Sequence, residues 1–377
     1  MNIEDVDVSS HEDFANHEKL VRCHDKKTGL LAFISIHNRN RGPALGGCRI
    51  WPYKTEADAI KDVLRLSRGM TYKSAVANLP LGGGKAVIVG DPQVIKSKGL
   101  MCSMGSFVDT LQGHYIIAED SGTSVEDMEI MATTTEFVAG IHDKKLKDGT
   151  TASGDPSPST AYGVFVGIRA SVRQRFGTAD LDGVKIAVKG VGNVGRNLVK
   201  MLVDAGADVF VADRYAPAIE AVQRISAVGV VDHDKIHKLN VDVYSPCALG
   251  GALSLNTLVE MHAPVVAGAA NNQLENNAAG DYLFHKGIIY APDYVINAGG
   301  IIDIYYERES KVQNNEVHKN KDSTQYDHHR VIKHIDSIGD TLSQLFTMSE
   351  EQQASTQIMA DQLAESRFLS SSFGQVA

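Results

Sequence analysis

Apolar positions recur along this chain in two rhythms. Residues 31–37 (LAFISIH) alternate around Phe33 and Ile34, which predicts a strand, and the turn-forming stretch 38–42 ends it. Thr55 and Asp58 have the spacing of a capping box. Ile60, Val63, Leu64 and Ser67 follow at helical spacing, so a helix carries the chain to Met70 and Lys73. The unbroken apolar run 86–89 (AVIV) predicts a buried strand, and 114–118 (HYIIA) predicts another. Residues 142–158 are polar and rich in Gly, Pro, Ser and Thr, which predicts a linker. A helix from Ser159 or Thr160, with Tyr162, Val164, Phe165 and Ile168, opens a second domain. There, strands at 184–189 and 208–212 flank a helix through Leu198, Met201 and Leu202, and short apolar runs return at 241–244, 264–267 and 288–290. This is the βα rhythm of a parallel sheet. Residues 309–330 read as an exposed loop or a solvated helix face. A helix through Val331, Ile335, Ile338, Leu342, Leu345 and Phe346 follows. A last one through Ile358, Leu363 and Phe368 is expected to pack back on the first domain. The chain shows no internal repeats. The fold class is α/β in two domains: 1–145 completed by 331–377, and 155–325.

At 377 residues the chain exceeds one typical core, and a 43% hydrophobic fraction describes an ordinary globular protein. A net charge of -9 argues against a nucleic-acid or anionic-membrane partner. Cys23, Cys48, Cys102 and Cys247 are dispersed without a CxxC pair, which suits a reducing cytosol. Neither they nor the adjacent His328 and His329 have metal-ligand spacing, so no metal is expected. The acidic N-terminus lacks an apolar signal core, and no run approaches the roughly eighteen apolar residues of a membrane span. A cytoplasmic protein is the expectation.

The second domain carries the most specific motif. After the strand at 184–189 comes Gly190-Val191-Gly192-Asn193-Val194-Gly195, then the helix, then a strand ending in Asp213. Gly190 suits the tight turn, Gly192 lets a pyrophosphate approach the backbone, and Gly195 permits close helix–strand packing. The helix beginning near Asn193 and Val194 offers amide donors and a positive dipole to phosphates. Asp213 would accept from ribose hydroxyls and repel a 2′-phosphate, favouring NAD, whereas Arg214 beside it could accommodate that phosphate. Small residues and amides at later strand ends suit backbone contacts to an adenosine or nicotinamide ring. They comprise Cys247, Ala248 and Leu249, then Ala270 and Asn271, then Asn297. The alternative for each asparagine is a turn residue bonding its own backbone.

In the first domain the stretch Gly69–Pro92 places Lys73 and Lys85 twelve residues apart, the second after Gly82, Gly83 and Gly84. No side chains screen the backbone there, so a small ligand can approach Lys85; a surface loop with solvated lysines fits the same residues. Gly46 and Gly47 belong to a second glycine-containing loop. Asp120 stands at the carboxyl end of a strand, where ligands gather in open α/β sheets, or caps the helix after Ser124 and Asp127.

The segments GPALGGCR, RGMTYK, LGGGKAVIVGDP, IIAEDSGTSVEDM, GDPSPSTAYGV, GVGNVG, PCALG, GAANNQL and APDYVINAGG occur in that order. They closely resemble the glutamate, leucine, phenylalanine and valine dehydrogenase family, the leucine-type members most nearly. The resemblance implies a substrate domain and a Rossmann-type NAD domain with the reaction in the cleft between them. It also implies NAD-dependent, reversible oxidative deamination of branched-chain L-amino acids to 2-oxo acids and ammonia, in a homo-oligomer, often an octamer. By resemblance Lys73 holds the substrate carboxylate near the backbone of Gly46 and Gly47. Lys85 polarises the carbonyl or activates water, and Asp120 is the general acid/base. A lysine in a dehydrated cleft beside another cation would have its pKa lowered towards neutrality. Thr160, Asn271 and Asn297 match positions near the nicotinamide. Leu45, Met70 and Ala118 fit the substrate side.

The chain departs from the family at Ala139, where threonine is common, at Ile301 and Ile304, where valines are usual, and in longer segments at 143–154 and 310–326. No cation at these pocket positions would meet a γ-carboxylate, which counts against glutamate. Bulky Ile301 and Ile304 count against the alternative of an aromatic, phenylalanine-type substrate. Joint presence of Lys73, Lys85 and Asp120 counts against a non-catalytic NAD-binding sensor.

Overall fold

A six-stranded mixed sheet organises the first part of the chain, in the order β1-β2-β3-β5-β4-β6. Its strands are β1 (Asn2–Asp5), β2 (Lys19–Asp25), β3 (Leu30–Asn38), β4 (Ala44–Trp51), β5 (Gly82–Val89) and β6 (Tyr115–Glu119). From β1 through β5 spatial neighbours run antiparallel, while β4 lies parallel to both β5 and β6. The structure, a computed structural model, describes residues 1–141, 144–145, 151–248, 251–316 and 326–370.

Helix α1 (Glu56–Val76) connects β4 to β5 and begins at the expected capping box, with Thr55 and Asp58 bonding each other's backbone. Its Ala59, Val63 and Leu64 pack on Leu20, Phe33 and Val87. The short helix α2 (Pro92–Ile95) follows β5, and α3 (Lys98–Asp109) and α4 (Val125–Met131) flank β6 in sequence. Met101, Met104, Phe107, Met128 and Met131 from α3 and α4 form a second core with Cys48, Ala86, Ile88 and Tyr115. A two-residue antiparallel pair, β7 (Lys144–Lys145) with β8 (Thr151–Ala152), lies in the stretch expected to be a linker, part of which is outside the described residues.

The second sheet is entirely parallel: β9 (Lys185–Lys189), β10 (Asp208–Ala212), β11 (Gly229–Val230), β12 (Val243–Pro246), β13 (Val265–Val266) and β14 (Ile289–Tyr290). Their order, β11-β10-β9-β12-β13-β14, reverses direction between β9 and β12. That is the switch point of a doubly wound Rossmann sheet. In chain order its helices are α5 (Ser157–Phe176), α6 (Asn193–Asp204), α7 (Ala216–Gln223), α8 (Leu255–Glu260), α9 (Asn277–His285) and α10 (Asp293–Ile296). Then come α11 (Gly299–Glu316), α12 (His328–Gln352) and α13 (Thr356–Leu369).

Two compact units result: Met1–Asp155 with Ile304–His328 and Ala364–Ala377, and Pro156–Asp303 with His329–Leu363. The sequence placed all of 331–377 with the first domain, and this is corrected. A Cβ added to Gly163 or Gly167 of α5 would stand 2.9 Å from Ile338 or 3.0 Å from Leu342, and Tyr162 donates to Asp336 at 2.7 Å. So α12 packs on α5. Only the end of α13 joins the first unit, where Phe368 meets Tyr72 edge-on and Arg367 donates to the carbonyls of Ala75 and Val76.

A second correction concerns the glycine runs, read from sequence as loops. Gly46 and Gly47 lie within β4, and Gly82, Gly83 and Gly84 are the buried first half of β5. A Cβ at Gly83 would collide with the Thr71 backbone of α1, and one at Gly84 would stand 2.7 Å from the Tyr115 ring. The helix and the tyrosine pack so close to the sheet that only hydrogen fits. Among the described residues no helix is long and apolar enough to cross a membrane.

Candidate active site

In the first unit the candidate chemistry gathers on β4, β5 and β6. The register that pairs Leu45 with Gly83 and Cys48 with Ala86 sets Lys85 level with Gly47, which pairs with Ala118 on β6. Lys85, 6% exposed, donates from Nζ to Oδ2 of Asp120, the residue after β6. The other Asp120 oxygen accepts the Ser121 N–H at 2.6 Å. Thr123 accepts the Asp120 N–H and donates to the Cys48 carbonyl, both at 2.9 Å, which fixes the turn that aims the carboxylate. The helix after it is capped by Ser124 with Asp127, so Asp120 is not its cap.

Charge around Asp120 is strongly biased. Burial alone would raise its carboxyl, but the Lys85 ammonium and the Arg49 guanidinium outweigh burial and hold it well below the usual carboxylate range. Glu119 goes the other way: burial, with Asp155 and Asp120, raises it. Adjacent carboxylates are thus pushed apart.

Lys73 stands in the last turn of α1, partly buried. Met70, a turn earlier, lies so that a Cβ on Gly46 would be 3.4 Å from its Cγ. Ala139 is buried and donates its N–H to the Ile117 carbonyl at 2.9 Å, beside the Ala118 position. Glu307 accepts the N–H groups of Gly140 and Ile141 at 2.9 and 3.0 Å, tying that segment to α11 close to Ile304. Ile301 and Asn297 belong to the second unit.

There, Gly190 takes a positive φ of 100°, and a Cβ on it would meet the Ala248 nitrogen at 2.6 Å and the Cys247 carbonyl carbon at 2.8 Å. Gly195 packs on the Gly190 carbonyl, whereas Gly192 has open space where a side chain would be. Gly192 is also the N-cap of α6, and no side chain caps that end, so the backbone before Asn193 and Val194 is left for an anion. Asp213 accepts the Val191 N–H at 2.8 Å and the Tyr215 N–H at 2.9 Å, and Arg214 is exposed. Asn297 donates to Asn271 Oδ1 at 2.7 Å and to the Ala269 carbonyl at 3.0 Å, so these amides bond each other rather than their own turns. Asn297 Oδ1 is buried without a partner among the described residues, as an acceptor facing an amide-bearing ring would be. Ala270 donates to the Pro246 carbonyl, and Thr160 to that of Pro156. Leu249 lies outside the described residues. The glycine turn, the uncapped helix and the amide pair fit a dinucleotide.

Two residues escaped the sequence reading. Gln273, fully buried, donates to the carbonyls of Gly268 and Ala270 and shapes the loop after β13. Arg49 lies inside GPALGGCR but was not singled out, because nothing in the sequence says that β4 sets it beside Asp120. Among the described residues no cluster of His, Cys, Asp or Glu could hold a metal ion.

A Rossmann unit after a mixed-sheet unit that presents a buried lysine–carboxylate pair describes a nicotinamide-dependent dehydrogenase. Residues 17–137 match the Glu/Leu/Phe/Val dehydrogenase dimerisation domain, and 211–365 match the Glutamate/Leucine/Phenylalanine/Valine dehydrogenase domain. The chain is 42% identical over 355 residues to a leucine dehydrogenase of Bacillus cereus, covering 94% of this chain and 92% of that one. It is 41% identical over 360 residues to a valine dehydrogenase of Streptomyces virginiae, covering 95% of each. A crystal structure of L-tryptophan dehydrogenase from Nostoc punctiforme superposes with a TM-score of 0.77 at 41% identity, covering 94% of this chain and 97% of that one. The chain belongs to the Glu/Leu/Phe/Val dehydrogenase family.

Proposed function

We propose that this protein is an NAD-dependent branched-chain amino-acid dehydrogenase, converting leucine, and also valine and isoleucine, reversibly to the 2-oxo acid and ammonia. The observation that carries the chemistry is the buried ion pair of Lys85 with Asp120. NAD, when bound, would supply the acceptor for the hydride that leaves the substrate Cα. Its pyrophosphate would lie against Gly190, Gly192 and the start of α6, its ribose against Asp213, and its nicotinamide near Thr160, Asn271 and Asn297.

The remaining work falls to the side chains of the first unit. Lys73, with the backbone of Gly46 and Gly47, holds the substrate carboxylate. Asp120 takes a proton from the substrate ammonium, freeing the nitrogen lone pair that makes hydride departure possible and leaves an iminium. Lys85 Nζ, without its proton, holds the water that adds to this carbon and takes the proton that the water sheds, giving the neutral carbinolamine. Asp120 returns a proton to nitrogen as the carbinolamine collapses, so ammonia leaves. Leu45, Met70, Ala118, Ala139 and Ile304 supply an apolar environment for a branched side chain.

The N-terminal match to a dimerisation domain supports assembly of identical subunits, and the octamer is the size the family resemblance implies. Four unpaired cysteines support a cytoplasmic location. The deciding experiment is NADH formation with leucine, isoleucine, valine, phenylalanine, tryptophan and glutamate, run with NAD and NADP. The reading expects a branched aliphatic substrate with NAD to be fastest. A larger kcat/KM for an aromatic substrate would move the assignment to the aromatic branch, and silence with NAD still bound would leave a sensor.

A further inference from the structure

We propose that Arg49 is a positioning residue for Asp120: a second, permanent cation that keeps the carboxylate ionised and aimed while Lys85 is without its proton. The inference rests on the proposed reaction, in which Lys85 gives up a proton in each turnover. At that moment a buried Asp120 loses the Lys85 ammonium bonded to it, and burial would then favour a protonated carboxyl, which cannot accept the next proton.

The geometry places Arg49 for this role. Cys48 pairs with Glu119 across β4 and β6, and the Ile50 N–H bonds the Ser121 carbonyl at 2.9 Å. Arg49, between them, is therefore level with Asp120. Its Nη1 donates at 2.9 Å to Asp62 Oδ2 on α1, an oxygen that also accepts the Tyr53 hydroxyl at 2.5 Å. This anchor stops the guanidinium from collapsing onto Asp120 and sealing it in a bidentate pair. Arg49 Nε is buried without a hydrogen-bond partner among the described residues. A purely structural tie to α1 would not need that desolvated donor. A guanidinium, unlike the Lys85 ammonium, cannot be discharged.

Cys48 on β4, Tyr115 and Glu119 on β6 and Asp127 on α4 also act in this region and are neutral or anionic, and the Lys96 ammonium there is paired with Asp127, so none of these substitutes for Arg49. The Lys85 ammonium and the Arg49 guanidinium both lower Asp120.

The test compares wild type with Arg49→Met, Arg49→Lys and Asp62→Asn in two measurements. One is an infrared titration of the carboxyl band in protein labelled with ¹³C-aspartate, with Asp120 identified by its loss in Asp120→Asn. The other is the pH profile of kcat/KM with the best amino-acid substrate. Arg49→Met is expected to raise the Asp120 midpoint by about one pH unit or more, and the acid limb of the profile with it. Arg49→Lys restores most of the shift. Asp62→Asn, which cuts the anchor and keeps the charge, lowers the thermal midpoint without raising the Asp120 midpoint. Should Arg49→Met not yield folded protein, Arg49→Gln, which keeps a donor for Asp62 and drops the charge, makes the same measurement. An Asp120 midpoint unmoved by loss of the charge, or raised equally by Asp62→Asn, overturns the proposal. A wild type inactive on every amino acid defeats the proposed function instead, and the infrared titration still decides the role of Arg49.

Discussion

Lys85 and Asp120 form their ion pair across an intervening strand, over the α-carbon of Gly47. The pair joins β5 to the end of β6, and β4 runs between them. Neighbouring strands are about 4.8 Å apart, so two side chains must bridge roughly twice that distance. The long lysine can do so only because β4 raises nothing in its way. A Cβ on Gly47 would stand 2.6 Å from the Asp120 Cβ and 2.7 Å from the Glu119 carbonyl oxygen. Gly47→Ala should therefore displace Asp120 and lower kcat about 10²-fold, as a misplacement of about 1 Å can. Steady-state turnover with the folded variant checks this, and retention of half the wild-type rate would contradict it.

Asp120→Asn keeps the shape and removes the charge. Turnover should fall by about 10²–10⁴-fold, the usual range for a lost general acid or base. NADH affinity should stay at the wild-type value, because the residues assigned to the dinucleotide lie in the other unit. A fluorescence titration with NADH, beside the rate measurement, separates the two effects.

Asp213 accepts the Val191 and Tyr215 N–H groups, which hold the glycine turn, and in the proposed function its charge also opposes a 2′-phosphate. Asp213→Ala should raise KM for NAD and increase the ratio of NADP to NAD use, with Arg214 nearby. Equal losses with both cofactors would mean that the residue acts only through the turn.

A fourth measurable consequence lies away from the chemistry. His37 is buried beside His17, their rings 4.8 Å apart, and bonds Thr71 Oγ1 and the Ala15 carbonyl. Burial, with the His17 charge behind it, lowers its pKa from 6.5 to about 3. Between these values the unfolded chain binds the proton that the folded one refuses. Stability should thus fall as pH drops from 6.5 towards 3, by up to about 1.4 kcal/mol per pH unit from this group. The thermal midpoint should drop between pH 7 and pH 5 in wild type, and His37→Gln should reduce that drop. An unchanged slope in the variant would assign the acid sensitivity elsewhere.

The Rossmann half was legible because its signals are local. Strand, Gly190–Gly195 turn, helix and Asp213 follow one another within about one βαβ unit, and each residue type serves its own neighbourhood. The glycines of β4 and β5 misled for the opposite reason. Glycine is a strand breaker by local preference, and its use here is set by groups distant in sequence: Thr71 over Gly83, Tyr115 over Gly84 and Asp120 over Gly47. The helix α12 was misplaced because its apolar face reads the same whichever core receives it. The role of Lys85 was suggested by motif, but its partner across the intervening strand is a fact of register. Arg49 needed that register too.

The glycines also divide the protein's mutational freedom. At Gly47, Gly83 and Gly84 any added atom strikes backbone, a ring or Asp120, so random change there is purged with the fold or the rate. Leu45, Ala118 and Ala139, proposed for the substrate side, already carry side chains. If the proposed roles hold, a lineage built on this scaffold explores new amino acids one methyl group at a time at Leu45, Ala118 and Ala139. Directed evolution for substrate range should then accumulate its gains at those proposed wall positions and leave the glycines untouched.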